Sequence, residues 1–187
     1  MQICFAFALA LTTGPAAMAA GPSGLSALFS EQPIVEATKK GSLSEAQAAL
    51  IDGASANARA DNGTPVLVMA VKAENVDLVR LLVENGARPD DKAKDETTAL
   101  TLASANGNLE IVSYLLDHGA DVNEPGSLRE TAIIKAVRGR RNPVVRLLVA
   151  KGADLDETDA AGATALDIAE SAGWQDTAAL LKKAGPK

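Results

Sequence analysis

The sequence has few of the side chains that enzymes most often use for chemistry. Its 187 residues include one cysteine, Cys4, and one histidine, His118, and aromatic residues make up only 3% of the chain. One histidine and one cysteine cannot complete the usual four-ligand zinc site. No pair of side chains resembles a nucleophile with its general base, so we expect no catalytic residue. His118 directly precedes a glycine and is expected to end a helix, where a positive charge favours the helix dipole.

The sequence also lacks a glycine-rich loop for phosphate groups and a calcium-binding loop. The dipeptides Asn62-Gly63 and Asn106-Gly107 are turn signals and not nucleotide motifs. The acidic stretches at residues 90–91 and 154–159 lack the spacing of an EF-hand, and we expect them to be solvated loops. The sequence therefore predicts no metal, no cofactor and a protein that is not an enzyme.

Basic residues are in the minority and are unevenly distributed. The formal net charge is −6, which argues against a general nucleic-acid binder because such a protein would show a basic footprint. Residues 126–151 nevertheless contain seven lysines and arginines, with Glu130 as the single acidic residue. Such asymmetry often marks an interaction face. The alternative is that these cations neutralise the acidic segments beside them, and the sequence leaves both readings open.

The N-terminal residues have the features of a secretory signal. An apolar run at residues 3–11 is too short to span a bilayer, and the small-x-small triplet Ala17-Met18-Ala19 follows it. We predict a signal peptide at residues 1–19, a short linker at 20–27 and a periplasmic or secreted protein. Cys4 would be lost with the signal. The alternative is an apolar tail or a buried first helix.

Five glycines recur at a fixed spacing in the rest of the chain. Gly53, Gly86, Gly119, Gly152 and Gly185 are each 33 residues apart, and a period of this size indicates stacked supersecondary units. Two short apolar runs with helical spacing precede each glycine, and a turn separates them. Neither run is long enough to form a helix that is stable alone, so each must pack against a neighbouring unit.

The third unit shows the shared residue pattern most clearly. The residues in register are Asp95, Thr98, Leu100, Ala103, Gly107, Val112, Leu115 and the run Gly119-Ala120-Asp121-Val122-Asn123. In this pattern the chain resembles the ankyrin-repeat family. The resemblance implies an all-α ankyrin-repeat solenoid of about five helix-turn-helix units with short β-hairpin-like loops. The predicted units are residues 28–59, 60–92, 93–125, 126–158 and 159–187, which form one ankyrin-repeat domain, and the two end units are expected to be polar caps.

The resemblance also implies a function, which is to bind another protein without turnover. In this family the partner usually contacts the concave side, which is lined by the loop tips and the first helix of each unit. By register, and from the basic segment, the partner-binding candidates are Arg59, Asp61, Asn62, Lys72, Lys92, Lys94, Asp95, Arg138, Arg140 and Arg141. Two roles remain open, namely a scaffold for another protein and an immunity or inhibitor protein that blocks a toxin or enzyme. A small-ligand binder or an enzyme is the lesser alternative. We expect no nucleic acid, no membrane span and a monomer.

Overall fold

The structure is a computed structural model that describes residues 32–185. The predicted signal peptide, the linker, residues 28–31 of the first unit and the last two residues of the fifth unit lie outside this part. The described residues form ten α-helices, which confirms the all-α prediction. They are α1 Pro33–Lys40, α2 Leu43–Ile51, α3 Val66–Lys72, α4 Val76–Glu84, α5 Ala99–Asn106, α6 Leu109–Asp117, α7 Ala132–Arg138, α8 Asn142–Ala150, α9 Ala165–Ser171 and α10 Gln175–Ala184.

The helices form five pairs that stack in chain order. Each odd-numbered helix contacts the even-numbered helix of its own pair and the odd-numbered helices of the neighbouring pairs. The core runs through the whole stack, because equivalent apolar residues of successive pairs are buried. Leu100 and Ile133 of two first helices are each 1% exposed, and Leu82, Leu115 and Leu148 of three second helices are each 0% exposed. Burial between neighbouring pairs therefore supplies the stability that such short helices lack on their own.

The periodic glycines end the second helix of each pair, as the sequence predicts. Gly86, Gly119 and Gly152 lie two residues after the last residues of α4, α6 and α8 and have φ values of +86°, +90° and +90°. This left-handed conformation has no steric penalty for glycine. The first helix of the third unit begins as predicted, because the Thr98 side chain accepts a hydrogen bond from the Thr101 N–H at 3.1 Å.

A ladder of side-chain hydrogen bonds joins each of the first three units to the unit that follows it. The side-chain oxygens of Asn57, Asp90 and Asn123 each accept a hydrogen bond from a backbone N–H that lies 31 residues later, at 2.8, 3.0 and 2.8 Å. The Asn57 side-chain amide also donates to the Gly86 carbonyl at 2.9 Å. We call Asn57, Asp90 and Asn123 the ladder residues. Each links one unit to the backbone of the next.

A short hairpin-like loop precedes the first helix of units two to five. In each loop the N–H of the first residue donates to the carbonyl of the fifth, at 2.9 Å for residues 60–64 and 93–97 and at 3.0 Å for 126–130 and 159–163. We call these loops the second, third, fourth and fifth fingers, after their units. Antiparallel bridges flank the second and fifth fingers, at Arg59–Pro65 and Thr158–Thr164. The fingers place a row of loop tips beside the first helices.

Candidate partner-binding surface

The tips of the second and third fingers carry four of the ten candidate residues, and all four are exposed. They are Asp61, Asn62, Lys94 and Asp95. The Asn62 side-chain oxygen accepts a hydrogen bond from the Thr64 N–H at 3.0 Å, and Asp95 accepts one from the Thr97 N–H at 3.2 Å. The hydrogen bond from the Thr97 N–H is the main cause that lowers the pKa of Asp95 below its usual value. Asp95 is therefore a fixed negative charge at neutral pH.

Lys94 lies across the finger that precedes its own. A Cβ atom added at Gly63 would come within 2.7 Å of the Lys94 Cε, so the lysine stem occupies the space that a side chain at Gly63 would need. Among residues 32–185, no ion pair engages the Lys94 ammonium. Its position is thus set by packing, while its charge remains accessible to a partner.

Arg59 and Lys92 lie at the finger bases and bind neighbouring loops. Arg59 donates to the Gly63 carbonyl at 3.0 Å and to the Lys92 carbonyl at 2.7 Å, and its guanidinium lies 3.3 Å from Asp91. The Lys92 ammonium lies 2.6 Å from Glu124, and this hydrogen bond is the main cause that raises the pKa of Lys92. Both candidates therefore hold one unit against the next, and a partner would meet them as fixed features.

Lys72 and Arg138 occupy equivalent places on first helices, but their surroundings differ. The exposed Lys72 lines a cavity of about 320 Å³ beside the second finger and has no ion-pair partner in the described part of the chain. Arg138 lines a second cavity of about 320 Å³ between the fourth and fifth fingers. Of these two first-helix cations, Lys72 is available to a partner, whereas Arg138 is already paired with carboxylates.

Arg138 binds two buried carboxylates in different units. Its Nε lies 2.5 Å from Glu130 Oε1 and its Nη2 lies 2.6 Å from Asp159 Oδ2, and these acids are 4% and 5% exposed as residues. Lys135 also pairs with Glu130. We call Glu130, Lys135, Arg138 and Asp159 the buried charge cluster. For Arg138, this geometry favours the reading in which the basic residues of this segment neutralise nearby carboxylates.

The expectation that residues 154–159 are wholly solvated is wrong for Asp159. Its Oδ1 accepts hydrogen bonds from the Ala161 N–H at 2.8 Å and the Ala163 N–H at 3.0 Å, in addition to the Arg138 contact. The bond from Ala163 is the main cause that lowers the pKa of this carboxyl. A buried carboxylate is stable here because each oxygen has a donor.

Arg141 lies at the turn between α7 and α8 and contacts the preceding unit. Its Nε donates to the Ala105 carbonyl at 3.0 Å. A Cβ added at Gly107 would lie 2.5 Å from the Arg141 Cδ, so the side chain packs closely over that glycine. The role of this arginine in holding the α5–α6 turn accounts for its position, and its guanidinium remains exposed at the surface.

Arg140 contacts an aromatic ring and no carboxylate in the described part of the chain. Its guanidinium carbon lies 5.7 Å from the ring centre of the half-buried Trp174, a cation–π arrangement, and no ion pair engages it among residues 32–185. Its φ is +55°, at a turn position where the third and fifth units have Gly107 and Gly173. Arg140 lines a cavity with Trp174 that is separate from the cavity of Arg138. The structure therefore places the three arginines in distinct environments.

Two fingertip residues were not among the sequence candidates. Leu128 is 70% exposed, and both Leu128 and the exposed Arg129 have a φ of +59°. A residue other than glycine costs about 1–2 kcal/mol in this region. One signal was present in the sequence, because the position of Arg129 is occupied by Gly63 in the second finger and Gly162 in the fifth.

His118 lies at the C-terminal end of α6 as predicted, and its ring is held by contacts with Tyr114. Its Nδ1 lies 2.8 Å from the Tyr114 carbonyl, and its ring stacks on that of Tyr114 with 3.9 Å between the centroids. Within the described residues, no three His, Cys, Asp or Glu side chains are grouped so that they could bind a metal ion. No helix between residues 32 and 185 has the length and hydropathy needed to cross a membrane.

Comparison with known families supports the repeat assignment along most of this region. A family model described as ankyrin repeats (3 copies) matches residues 34–126, and a second, described as ankyrin repeats (many copies), matches residues 117–169. A comparison with curated proteins finds no match.

Proposed function

The chain belongs to the ankyrin-repeat family of protein-interaction modules, and from this premise we propose that it is an exported, non-catalytic module that binds a partner protein through its concave face and fingertips. Export is inferred from the apolar run and the Ala17-Met18-Ala19 triplet at the N-terminus. The step from family to partner binding is an analogy, and the finger geometry supplies its physical support.

The observation that carries the proposal is that the exposed fingertips are held in place before any partner arrives. Each finger is closed by a backbone hydrogen bond of 2.9–3.0 Å. Arg59 and Lys92 fix the finger bases through contacts to neighbouring loops. A surface that is already ordered loses less conformational entropy on binding, so more of the contact energy contributes to affinity.

The scaffold role and the inhibitor or immunity role make different predictions for the partner. A scaffold leaves the activity of a partner enzyme intact or protects it, whereas an inhibitor abolishes it at stoichiometric concentrations. Measuring the partner's activity with and without the purified chain separates the two roles. Turnover of a substrate by the chain itself would replace both with the enzyme alternative.

The test of the binding surface compares two pairs of charge-removing substitutions. The mature chain would be used to capture periplasmic proteins, and the captured protein would then be purified and its affinity measured by calorimetry. We expect the double variant Asp61→Ser and Lys94→Ser to weaken binding several-fold, because exposed ion pairs contribute about 0.2–1 kcal/mol each. The matched control is Asp52→Ser with Lys183→Ser, two exposed residues of opposite charge away from the fingers.

The control should leave the affinity unchanged. If the control weakened binding and the finger variant did not, the partner would bind outside the fingers and the proposed surface would be wrong. Circular dichroism of both variants checks that the helices are retained.

A further inference from the structure

We propose, building on the function above, that the fourth finger is the specificity anchor: Leu128 and Arg129 together bind a partner segment that has an apolar side chain next to a carboxylate. This assignment goes beyond the general use of the concave side. It names one finger, two side chains and the chemistry of the segment that they recognise.

Apolar surface is unevenly distributed along the fingertips and is concentrated at the fourth and fifth fingers. The second and third fingers have the polar residues Asn62 and Asp95 at the position that Leu128 occupies in the fourth. Leu128 is 70% exposed, and Ala160 and Ala161 at the tip of the fifth finger are exposed as well. These three residues line the cavity of about 320 Å³ between the two fingers, together with Glu130, Arg138 and Asp159, whose charges are paired with one another. An apolar side chain that entered this space would remove apolar surface of both partners from water, which favours binding.

The backbone of the fourth finger is strained at its tip. Leu128 and Arg129 both have a φ of +59°, whereas the second and fifth fingers have Gly63 and Gly162 at the position of Arg129. Glycine or asparagine at these two positions would make the finger more stable. A strained residue with an exposed side chain that contributes nothing to the core suggests that the side chain has a function.

The strained tip is held in place by hydrogen bonds and packing. The Leu128 carbonyl accepts a hydrogen bond from the Ala160 N–H at 2.9 Å, and the Arg129 N–H donates to the Gly126 carbonyl at 3.1 Å. A Cβ added at Gly126 would lie 2.9 Å from the Thr101 Oγ1, so the base of the finger is packed against α5. The two side chains are thus presented in one geometry, which is the condition for a selective anchor.

The charge at the fourth fingertip determines the chemistry of the partner segment. Within the buried charge cluster, Lys135 and Arg138 pair with Glu130, and Arg138 also pairs with Asp159. Arg129 is exposed and has no ion pair with any residue in the part of the chain that the structure describes. The available charge at this tip is therefore positive. A guanidinium binds a carboxylate through paired N–H donors, so the complementary segment is acidic as well as apolar.

Two substitutions test the anchor and are expected to leave the fold intact. Leu128→Asn introduces the residue found at this tip position in the second finger, and asparagine tolerates the left-handed conformation. Arg129→Gly introduces the residue found at the equivalent position of the second and fifth fingers. We expect both variants to be as resistant to urea as the parent chain, or more so. A loss of binding in these variants then reports on the side chains and not on folding.

The probe is a phage-displayed library of random 12-residue peptides selected on the mature chain. We expect the enriched peptides to carry Asp or Glu next to a large apolar residue. Leu128→Asn should raise their Kd at least ten-fold, and Arg129→Gly should raise it several-fold at low salt and less at high salt. The matched control is Ile51→Asn on α2, because Ile51 is 79% exposed and lies far from the fourth finger in sequence. It should leave Kd unchanged.

Three outcomes would overturn the anchor assignment. If enriched peptides bound both variants as tightly as the parent chain, but lost affinity in the Asp61→Ser and Lys94→Ser variant, the proposed function would stand and the fourth finger would not be its anchor. If selection gave no peptide specific to the folded chain and capture gave no partner, both proposals would fail. If sedimentation showed a dimer that Leu128→Asn dissociates, the occupant would be a second copy of the chain.

Discussion

Asp90 occupies a ladder position that asparagine fills in the units on either side, and replacing it with asparagine should stabilise the protein at neutral pH. Each of the three ladder residues accepts an equivalent hydrogen bond from the next unit. Asp90 accepts it from the Asp121 N–H at 3.0 Å. Asn57 has an additional bond, because its side-chain amide donates to the Gly86 carbonyl at 2.9 Å. A carboxylate cannot donate this bond, whereas an asparagine at position 90 in the geometry of Asn57 would donate it to the Gly119 carbonyl.

The magnitude follows from the bond that asparagine adds. A neutral hydrogen bond contributes about 0.5–1.5 kcal/mol to stability, so we expect Asp90→Asn to raise the free energy of unfolding by about 1 kcal/mol at pH 7. For a chain of this size that corresponds to an increase in Tm of about 2–4 °C. Removing a partly buried charge acts in the same direction.

The dependence of this stabilisation on pH provides a second, independent test of the prediction. Partial burial is the main cause that raises the pKa of Asp90, and the nearby carboxylates of Asp121, Glu124 and Asp91 add to it. A raised folded-state pKa means that protonated Asp90 favours the folded state. This contribution is complete below the unfolded-state pKa of about 3.9 and is lost as the pH rises through the folded-state value. The advantage of Asp90→Asn should therefore be largest near neutral pH and smaller below about pH 4.

Urea unfolding followed by far-UV circular dichroism measures the effect. The midpoint should shift upward at pH 7 with no change in m-value, since the buried surface is the same. The reciprocal substitution, Asn57→Asp, removes the amide bond to the Gly86 carbonyl; it is the matched control and should lower the midpoint. The reasoning is refuted if Asp90→Asn has the stability of the parent chain at pH 7, or if its advantage does not depend on pH.

Two further predictions follow from the chain ends and from the stack. Export predicts that protein from the periplasm begins at Ala20, and intact mass decides this, because a mass that includes Met1 and Cys4 contradicts the signal peptide. Leu115→Ala in the central unit should cost about 2–5 kcal/mol of unfolding free energy. Leu181→Ala should cost less, because its unit packs against one neighbouring unit and Leu181 already lines a cavity of about 230 Å³. Equal urea midpoints for the two variants would contradict the assignment of the last unit as a cap.

The fold could be predicted because the same signals recur in phase. One pair of short apolar runs before a glycine would suit several structures, but glycines at a constant spacing of 33 leave stacked units as the consistent arrangement. The left-handed φ values of Gly86 and Gly119, just after helix ends, confirm that these glycines end helices. Register also correctly placed Asn62 and Asp95 at exposed tips.

The environments of the arginines could not be predicted in the same way. The charge count over residues 126–151 treated Arg138 as available, but its guanidinium reaches Asp159, 21 residues later and in the next unit. Register gives the place of the Cα atom on the helix and not the path of a long side chain across a unit boundary. The charge count also gave no indication that Glu130 is buried and lies at the centre of the buried charge cluster.

The conformation of the fourth fingertip depends on contacts that no local pattern contains. The left-handed backbone at Leu128 places its carbonyl on the Ala160 N–H of the next finger, and Gly126 fits closely against Thr101 of the preceding unit. The intrinsic preferences of leucine and arginine do not favour a left-handed backbone at either position. Comparing the units with one another gave one usable indication, which is that Arg129 replaces a glycine.

The ladder has a direction, and this bears on how the chain can change its length. Each side chain reaches forward to the backbone of the following unit, and the three acceptors are equivalent. Deleting residues 93–125 would bring Asp90 to the Asp154 N–H that Asn123 now binds, and the rung would form again with the same geometry. Insertion or loss of one whole unit among the first four therefore preserves this ladder, whereas a deletion of any other length breaks the phase of all units beyond it. Genetic duplication or loss of a unit can lengthen or shorten the row of fingers without a new ladder contact having to evolve.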